Sequence, residues 1–553
     1  MTVALILAGQ ADAGLRGQLA ALGVRRVDAA DQAGPGLLAV AAAARVAGER
    51  VLICAGEGPD PEQILGRLLR AGGTAAFTGA EPGALVVDPS DLEALAGAAE
   101  ALAATPAPIG TLIAELARRG VRVRVLDAGP DGDGVVARLI VEPVASAAAT
   151  GLARRSLTPA ALYGIALGLG LLSAVWFTAP TIRGKLLATA ALFGALAVGR
   201  TGSLLAALAA EGRVAPATDW LGTAWGLLTE FAIYAALAAS AGAGPTAGLD
   251  GIYGAQLRNT LAATLGGAGQ LGVWRIAVAA MVMLGIRRIA GLCYEAAARS
   301  PGNPDPWWLK RIPEQVIALP TGERYTVIAA TAILAGPRLT FLVLLAWGVV
   351  AVGWLLARHM SGPAEATPAD GYVTACRGDG VMSRRLGGIV RGTLPPLLPV
   401  LVGLMVTCVL AALGLANLPG ALVLLPVLVM LIPAVGARHP HDGRLDWLAP
   451  PLLQTSEYVF LAALGFSRHV APALVFALVA AVVIRHADLA YRARVGLGIP
   501  ADRFGLGWDG RLLLAGFAAA VGIAPFAYAA LAGYLWLLFC WDFLTGWLPA
   551  PTA

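Results

Sequence analysis

The stretch SLTPAALYGIALGLGLLSAVWF (Ser156–Phe177) decides the class to which this chain belongs. It contains no charged residue and is long enough to cross a bilayer, because a transmembrane helix needs about 20 apolar residues. The whole chain has 553 residues, of which 58% are hydrophobic and only 14% are charged, and its mean hydropathy is +0.73. Soluble domains carry about 25% charged residues. The composition therefore predicts that much of the chain lies in lipid.

Further apolar segments follow this stretch towards the C-terminus. They predict six spans by residue 356, with the last two helices joined at Gly336-Pro337. After a polar linker, apolar segments resume at Pro395 and predict five or six more spans. The sequence thus predicts an all-α polytopic membrane region of about 11–12 helices. The segments before the last helix pair are Leu157–Phe177, Leu186–Val198, Ala224–Ala243 and Val273–Leu292.

Residues 1–150 have the character of a soluble α/β domain. Helical segments such as PEQILGRLLRAG and IGTLIAELARRG alternate with short runs rich in apolar and β-branched residues. Such runs suit buried parallel strands, and the alternation predicts a layered α/β domain. The runs are VALILA from Val3, RVLICAG from Arg50, GALVVD from Gly83 and VRVRVLD from Val121.

The changes in composition divide the chain into four parts. We expect an α/β domain at 1–150, a six-helix membrane core at 151–360, a linker at 361–394 and a C-terminal helical membrane domain at 395–553. Arginine pairs such as Arg154-Arg155, Arg287-Arg288 and Arg384-Arg385 fall on one side of the membrane. By the positive-inside rule that side is cytoplasmic, together with the N-terminal domain. A multi-pass protein of the bacterial inner membrane is predicted, and its net charge of +5 indicates no nucleic-acid partner.

Glycine recurs at regular spacing in GRTGSLLAALAAEGRVAPATDWLGTAWGLLTE (Gly199–Glu230). Gly199 and Gly202 are three residues apart, and Gly222 and Gly226 are four apart. Glycines are common packing residues between membrane helices. This is one interpretation of the stretch, and the sequences on both sides of it suggest another.

Residues Leu157–Leu356 resemble the six-helix core of the CDP-alcohol phosphatidyltransferase family. The stretch Ser156–Phe177, with its opening LTP, resembles the first helix, and EFAIYAALAASAG resembles the helix after the active-site loop. PWWLKR and PTGERYTVIAATAILAGPRLTFLVLLAWG are similar to the cytoplasmic connection and the last helix pair. Fused bacterial members add an N-terminal nucleotidyltransferase-like domain, and some add a C-terminal membrane domain of unknown function. The resemblance therefore covers nearly the whole chain.

The family signature implies a two-metal reaction. It has the form D-x-x-D-G-x-x-A-R, a short gap, and then G-x-x-x-D-x-x-x-D. Four carboxylates are implied to hold two Mg or Mn ions on the pyrophosphate of a CDP-alcohol. One aspartate is implied to take the proton of the acceptor hydroxyl as a general base while CMP departs.

Alignment on both flanks places glycine at all four signature aspartates. The anchors are LTP upstream and Trp220-Leu221 with Glu230 downstream, and a two-residue insertion lies between them. Glycine has no side-chain oxygen, and helical carbonyls are committed to backbone hydrogen bonds. The resemblance therefore predicts a catalytically silent relative that binds a lipid or a CDP-alcohol, or is a scaffold in phospholipid synthesis. The family-motif positions are Gly199, Gly202, Ser203, Ala206, Ala207, Gly222 and Gly226.

Two further hypotheses stay open beside simple glycine packing. The chain is an active CMP-releasing synthase if the displaced carboxylates Asp219, Glu230 or Glu211 hold Mg or Mn; otherwise no cofactor is predicted.

The chain is a transporter or lipid-handling protein if the C-terminal bundle is its working part. That hypothesis depends on Glu457, a carboxylate at or inside an apolar span, since such groups are costly and often functional. Its partner is either an arginine of the same bundle or water at the helix mouth. A homodimer is implied by the resemblance alone.

The N-terminal domain carries a second resemblance. LILAGQADAGLRGQLAALGV is similar to the glycine-rich first loop of nucleotidyltransferases, with Gly9, Gly14 and Arg16 in loose register. VLICAGEGPD resembles the strand end that presents a metal-binding acid, for which Glu57 and Asp60 are candidates. A glycine loop after a strand is a weak signal, so a structural domain is favoured over a working cytidylyltransferase, with nucleotide binding without turnover as a middle hypothesis.

A charged segment, VIRHADLAYRARVGLG, lies at a predicted helix exit near the C-terminus. It contains Arg485, His486, Asp488, Arg492 and Arg494. Arginines in this position commonly meet lipid head groups, and we expect that role here.

Overall fold

The computed structural model describes most of the chain. Its described residues are 2–7, 24, 26–30, 35–55, 74–78, 82–102, 112, 115–116, 118–119, 121, 124–127, 136–152, 157–209, 216–241, 270–297, 317, 319–360, 376–390, 395–412, 420–437, 439, 445–494 and 505–546.

The described part of the N-terminal region contains one mixed β-sheet. Its strand order is β2-β1-β3-β5-β4-β6. β1 runs parallel to β2 and β3, and β4 runs parallel to β6, whereas β5 is antiparallel to β3 and β4. The strands are β1 (Thr2–Leu7), β2 (Arg26–Ala30), β3 (Arg50–Ala55), β4 (Ala75–Thr78), β5 (Pro82–Val87) and β6 (Arg124–Asp127). Helices α1 (Pro35–Ala47) and α2 (Leu92–Leu102) pack against each other, and α1 also contacts β1, β2 and β3.

The four predicted strand runs coincide with β1, β3, β5 and β6, but the prediction that all are parallel is wrong for β5. Only residues 79–81 separate β4 from β5. A connection this short joins antiparallel strands, since a parallel pair needs a crossover of about a dozen residues or more. Leu85 and Val86 of β5 are fully buried, and an apolar run of this kind carries no information about strand direction.

From residue 136 onwards the described residues are mainly helical. A π-helical turn (Ala137–Val141) leads into the first of them. The helices are α3 (Glu142–Leu152), α4 (Pro159–Phe177), α5 (Ile182–Ala209), α6 (Pro216–Ser240), α7 (Gln270–Ala297), α8 (Thr321–Leu334), α9 (Pro337–Met360), α10 (Val381–Val390), α11 (Leu397–Ala412), α12 (Leu424–Val429), α13 (Ala449–Ser467), α14 (Pro472–Arg494), α15 (Gly507–Val521) and α16 (Ala524–Gly546).

Seven of the described helices are long and apolar enough to cross a membrane, namely α4, α5, α6, α7, α9, α14 and α16. The chain therefore has the helices of a multi-pass membrane protein. The predicted count of 11–12 spans is too high for the described residues. Several apolar segments form helices shorter than the roughly 20 residues of a span, because α8 has 14 residues, α15 has 15 and α11 has 16.

The predicted break between the last two core helices is present at Gly336-Pro337. Gly336 has φ +84°, a left-handed conformation that glycine adopts without steric cost. Pro337 begins α9, where its missing N–H would have no helical partner in any case.

The chain divides into two compact units. The first comprises Met1–Leu169, Ala191–Gly226 and Leu319–Tyr325, and the second comprises Gly170–Ala190, Leu227–Ala318 and Thr326–Ala553. Within the second unit α7 packs against α9, α13 and α14, and α14 packs against α13 and α16. A helix of the predicted core thus shares its packing with the predicted C-terminal domain. The domain boundaries at 150, 360 and 394 stay a prediction.

Candidate functional site

The seven family-motif positions lie on two helices of the first unit. Gly199, Gly202, Ser203, Ala206 and Ala207 are on α5, and Gly222 and Gly226 are on α6. Gly199, Gly202 and Ala206 are buried. Gly222 and Gly226 are half-buried. The structure therefore brings the two glycine pairs together where α5 meets α6, and we call Gly199, Gly202, Gly222 and Gly226 the glycine frame.

Aromatic rings fill the space beside three of the four frame glycines. A β-carbon on Gly199 would overlap the indole ring of Trp225. A β-carbon on Gly202 would lie 3.1 Å from Cε1 of Tyr163, and one on Gly222 would lie 2.8 Å from the Tyr163 hydroxyl oxygen. By contrast, none of the residues that the structure describes would place such an atom within 4 Å of a β-carbon on Gly226.

Tyr163 and Trp225 are held in place by an apolar cluster and by one polar contact. Both side chains are buried, and they pack with Ala166 and Ala195. The Tyr163 hydroxyl donates to Ser203 Oγ at 3.2 Å, and Ser203 Oγ donates to the carbonyl of Gly199 at 3.3 Å. The serine at the motif's glycine position thus fixes the ring that fills the frame.

The candidate carboxylates are separated from one another along the chain. Asp219 is in the first turn of α6 and is exposed, whereas Glu230 is on the same helix and is buried. Glu211 lies outside the described residues. Among the residues that the structure describes, no group of three or more His, Cys, Asp or Glu side chains could hold a metal ion.

The nucleotide-binding candidates all lie outside the described residues; they are Gly9, Gly14, Arg16, Glu57 and Asp60. The strands that precede them end side by side, because Leu7 of β1 pairs in parallel with Ala55 of β3. β2 lies on the other side of β1, so the strand order reverses between β1 and β3. Ligands of open α/β sheets bind beyond the carboxyl ends of strands at such a switch point.

Cys54, which precedes Ala55 in β3, is buried in the sheet, and this burial raises the pKa of its thiol to about 12.

A second candidate site lies in the second unit, around Glu457 of α13. The Glu457 side chain is fully buried, and the partner that the sequence left open is Arg511 of α15. Arg511 Nε donates to Oε1 at 2.6 Å, and Nη2 donates to Oε2 at 3.0 Å. Its Nη1 donates to the carbonyl of Gly505 at 2.8 Å. Two parallel charge-assisted hydrogen bonds make this a bidentate pair, the strongest ordinary form of such a contact.

His486 of α14 and Tyr458 of α13 complete this group. His486 Nε2 lies 3.0 Å from Arg511 Nη2 and 3.6 Å from Glu457 Oε2, and Nδ1 lies 2.7 Å from the Tyr458 hydroxyl oxygen. Arginine is always a donor, so Nε2 accepts and the ring hydrogen is on Nδ1, facing Tyr458. His486 is therefore neutral in this arrangement. We call Glu457, Tyr458, His486 and Arg511 the buried quartet.

The arginines of the charged segment meet protein groups, so the prediction that they contact lipid head groups is wrong for Arg485 and Arg492. Arg485 forms an ion pair with Asp542 of α16. Arg492 Nε donates to Asp488 Oδ2 at 2.9 Å, and its Nη2 donates to the carbonyl of Asp542 at 3.3 Å. Arg485, Asp488 and Arg492 are all buried, because α14 is packed against α7, α13 and α16. The side chain of Arg494 lies outside the described residues.

A third polar group surrounds the start of α10. Arg377 Nε donates to Asp379 Oδ2 at 2.8 Å, and Arg377 Nη2 donates to the carbonyl of Pro433 at 3.0 Å. Trp508 Nε1 donates to Asp379 Oδ1 at 2.8 Å. Gln454 Nε2 donates to the carbonyl of Cys376 at 2.9 Å. These contacts tie the segment before α10 to α13 and α15.

Sequence reasoning found Glu457 but missed Arg511, Asp509 and Tyr458. One signal was present: GWDGRLLLAGF places Asp509 and Arg511 at the start of an apolar run. Charged residues in such positions are costly unless they are partnered. Their partners are distant in sequence, so the spacing of residues could not identify them.

Comparison with known proteins adds one family. The model of a family of unknown function, DUF5941, matches residues 367–552. No curated protein matches the chain. The buried quartet lies inside the matched region, and the glycine frame lies outside it.

Proposed function

We propose that this chain is a catalytically silent relative of the CDP-alcohol phosphatidyltransferases. In this proposal it is a multi-pass protein of the bacterial inner membrane, and its α/β domain lies on the cytoplasmic side. Its membrane core binds a lipid or a CDP-alcohol without turnover, or positions a partner synthase. The observation that carries the proposal is the filling of the glycine frame by Trp225 and Tyr163.

The chemistry of the frame supports a loss of metal-dependent transfer. Two divalent cations need several oxygen ligands, mostly carboxylates. Gly199, Gly202 and Gly222 offer no side-chain oxygen, and their neighbours are an indole and a phenol ring. Restoring carboxylates would require the rings to move, since β-carbons at these positions already meet them. The proposed ancestral metal site is thus apolar packing in this chain.

The alternative of an active synthase needs displaced carboxylates. Asp219 and Glu230 are eleven residues apart on one helix, which corresponds to a rise of about 16 Å. Ligands of one metal pair lie within a few ångströms of it, so these two carboxylates do not share a site. The substitutions Asp219→Asn and Glu230→Gln are expected to leave any CMP release unchanged. Loss of release in either variant would favour the active synthase.

Calorimetry with a CDP-alcohol, with and without Mg, tests the binding role. We expect the same heat of binding in both conditions, since the frame has no metal to recruit. Binding that requires Mg would contradict the proposal. Absence of binding in both conditions would favour a scaffold. Gly226→Leu is an informative variant, because it fills the open space beside the fourth frame glycine and should weaken binding if the ligand lies there.

A second candidate function is lipid handling or transport through the C-terminal bundle. The buried quartet favours it, because ionisable groups inside apolar helices commonly mark transport pathways. Deleting the chain from Pro395 onwards is a poor test, because it removes α13 and α14, against which α7 packs. Single substitutions leave these helices in place and are therefore a better test. If the quartet is the working part, Tyr458→Phe should reduce translocation of a fluorescent phospholipid in proteoliposomes, and Tyr528→Phe, which alters another buried hydroxyl, should not.

A further inference from the structure

A surface helix lies within the segment that the sequence predicts to be a polar linker. Helix α10 has ten residues, Val381–Val390. It packs against the 3-10 turn Ile432–Gly436 and against α15. Ser383 and Gly387 are buried and lie one helical turn apart. They form the inward face of the helix.

The start of α10 is fixed by a carboxylate from a distant part of the chain. Asp509 Oδ1 accepts from the amide of Gly380 at 2.7 Å, and its Oδ2 accepts from the amides of Met382 at 2.8 Å and Ser383 at 3.0 Å. Unpaired amides at a helix start are stabilised by such acceptors. Asp509 therefore fixes the position at which α10 begins.

The outward face combines apolar side chains with two arginines. Val381 is 60% exposed and Ile389 is 75% exposed, and Met382 is exposed beside them. Arg384 and Arg385 are exposed as well, with Arg385 between Val381 and Ile389 and Arg384 at the flank of this face. Val381, Arg385 and Ile389 follow one another at intervals of one turn, so the apolar stripe carries a positive charge in its middle.

The next helix along the chain has an outward face suited to lipid. α11 exposes an apolar stripe and no charged residue. Only residues 391–396 separate α11 from α10. The arginine-bearing face thus lies close in sequence to a lipid-compatible helix surface. The exposed residues of the α11 stripe are Leu398, Leu401, Met405 and Val409.

We propose that α10 is an interfacial helix that binds the head groups of anionic phospholipids. Val381, Met382 and Ile389 enter the boundary between head groups and acyl chains, as apolar faces of interfacial helices do. Arg384 and Arg385 lie along this face and extend their charged ends to the lipid phosphates, since arginine buries its aliphatic stem and keeps its head in the polar layer. Each arginine near an anionic surface strengthens binding by about fivefold. This surface is independent of the glycine frame and of the proposed loss of catalysis.

A fluorescent probe on α10 tests this proposal in the full-length chain. Ile389→Cys is made in a Cys408→Ser/Cys540→Ser background, which removes the two exposed cysteines of the described residues, and is labelled with NBD. The protein is reconstituted into phosphatidylcholine vesicles with and without phosphatidylglycerol, and each set contains lipids spin-labelled near the head group. We expect a blue shift and strong quenching in the anionic vesicles, and weaker quenching in the neutral ones.

The arginine variants supply the control. Arg384→Gln/Arg385→Gln should reduce quenching in the anionic vesicles to the level of the neutral ones. Arg45→Gln/Arg118→Gln removes two exposed arginines of the N-terminal domain and should leave quenching unchanged. A probe that stays in water in both lipids would overturn the proposal and leave the face for a protein partner. Equal quenching in both lipids, unaffected by Arg384→Gln/Arg385→Gln, would overturn the recognition of anionic lipid.

Discussion

The indole ring of Trp225 on α6 occupies the space that a β-carbon on Gly199 of α5 would need. Glycine at this position thus permits the close approach of two helices, as small residues do in membrane proteins. Packing alone accounts for Gly199, Gly202 and Gly222. It does not account for Gly226, beside which no described residue places an atom within 4 Å of a β-carbon. Gly226 is thus the one frame glycine for which the described residues give no packing reason.

Alanine substitutions at two frame glycines should have opposite effects on stability. Gly199→Ala forces the Trp225 ring to move, and overpacking of this kind costs about 1–3 kcal/mol. Gly226→Ala meets open space and should stabilise α6 by up to about 1 kcal/mol, because alanine is the better helix former. Denaturant unfolding in detergent measures both. Equal effects of the two variants would show that Trp225 does not restrict Gly199.

Breaking the buried ion pair should be strongly destabilising. Glu457→Gln leaves the Arg511 guanidinium without its counter-charge, and loss of one partner of a buried pair costs about 3–5 kcal/mol. Arg511→Met has the corresponding effect on Glu457. The double variant should be less destabilised than the sum of the two single variants, since no uncompensated charge is left. Additive losses in this double-mutant cycle would mean that the two side chains are not coupled.

Removal of the charge of Asp509 should destabilise α10. Removal of the charge of an exposed aspartate at the start of another helix should not. Asp509→Asn weakens three hydrogen bonds to backbone amides, and loss of a helix cap costs about 0.5–2 kcal/mol. Amide hydrogen exchange across Val381–Val390 should accelerate accordingly. Asp219→Asn, in the exposed first turn of α6, provides the matched control and should leave α10 exchange unchanged. Unchanged exchange in Asp509→Asn would argue against this fixing role.

The β3 strand should become easier to open as the pH rises above 9. Burial raises the pKa of the Cys54 thiol from 9.0 to about 12. Because the folded-state pKa is the higher one, the unfolded chain loses this proton first. The stabilisation is complete below pH 9.0 and decreases between 9.0 and about 12, by about 1.4 kcal/mol per pH unit.

Hydrogen exchange of the β3 amides, corrected for intrinsic exchange, measures this loss. Cys54→Ala removes the titrating group, so its opening free energy should change less between pH 8 and pH 10 than that of the unmodified chain. The same pH dependence in both proteins would mean that the Cys54 thiol does not contribute.

The apolar runs of the sequence predicted four of the six described strands, but they did not predict the direction of β5. Val51, Leu52 and Ile53 of β3 are buried, and a run of such residues is visible in the sequence. β2 (RVDAA) and β4 (AAFT) were missed, because short strands with few β-branched residues give little signal. The antiparallel direction of β5 follows from its short connection to β4, which strand patterns alone did not reveal.

Most of the contacts at the candidate sites could not be predicted, because they join residues that are far apart in the sequence. The spacing of glycines located the frame, but the identity of the filling rings depends on how α4, α5 and α6 meet. Tyr163 is 40 residues from Ser203, and Glu457 is 54 residues from Arg511. A periodic pattern identifies one face of one helix. It does not specify which face of another helix lies against it.

Release of CMP from a CDP-alcohol by the purified, reconstituted chain tests the central proposal most directly. The protein is incubated with the CDP-alcohol, an acceptor alcohol and Mg or Mn, and CMP is followed over time beside vesicles without protein. We predict no release above the protein-free background with either metal. A steady, metal-dependent release that scales with protein concentration and stops when the metal is chelated would contradict the proposal that the frame is catalytically silent.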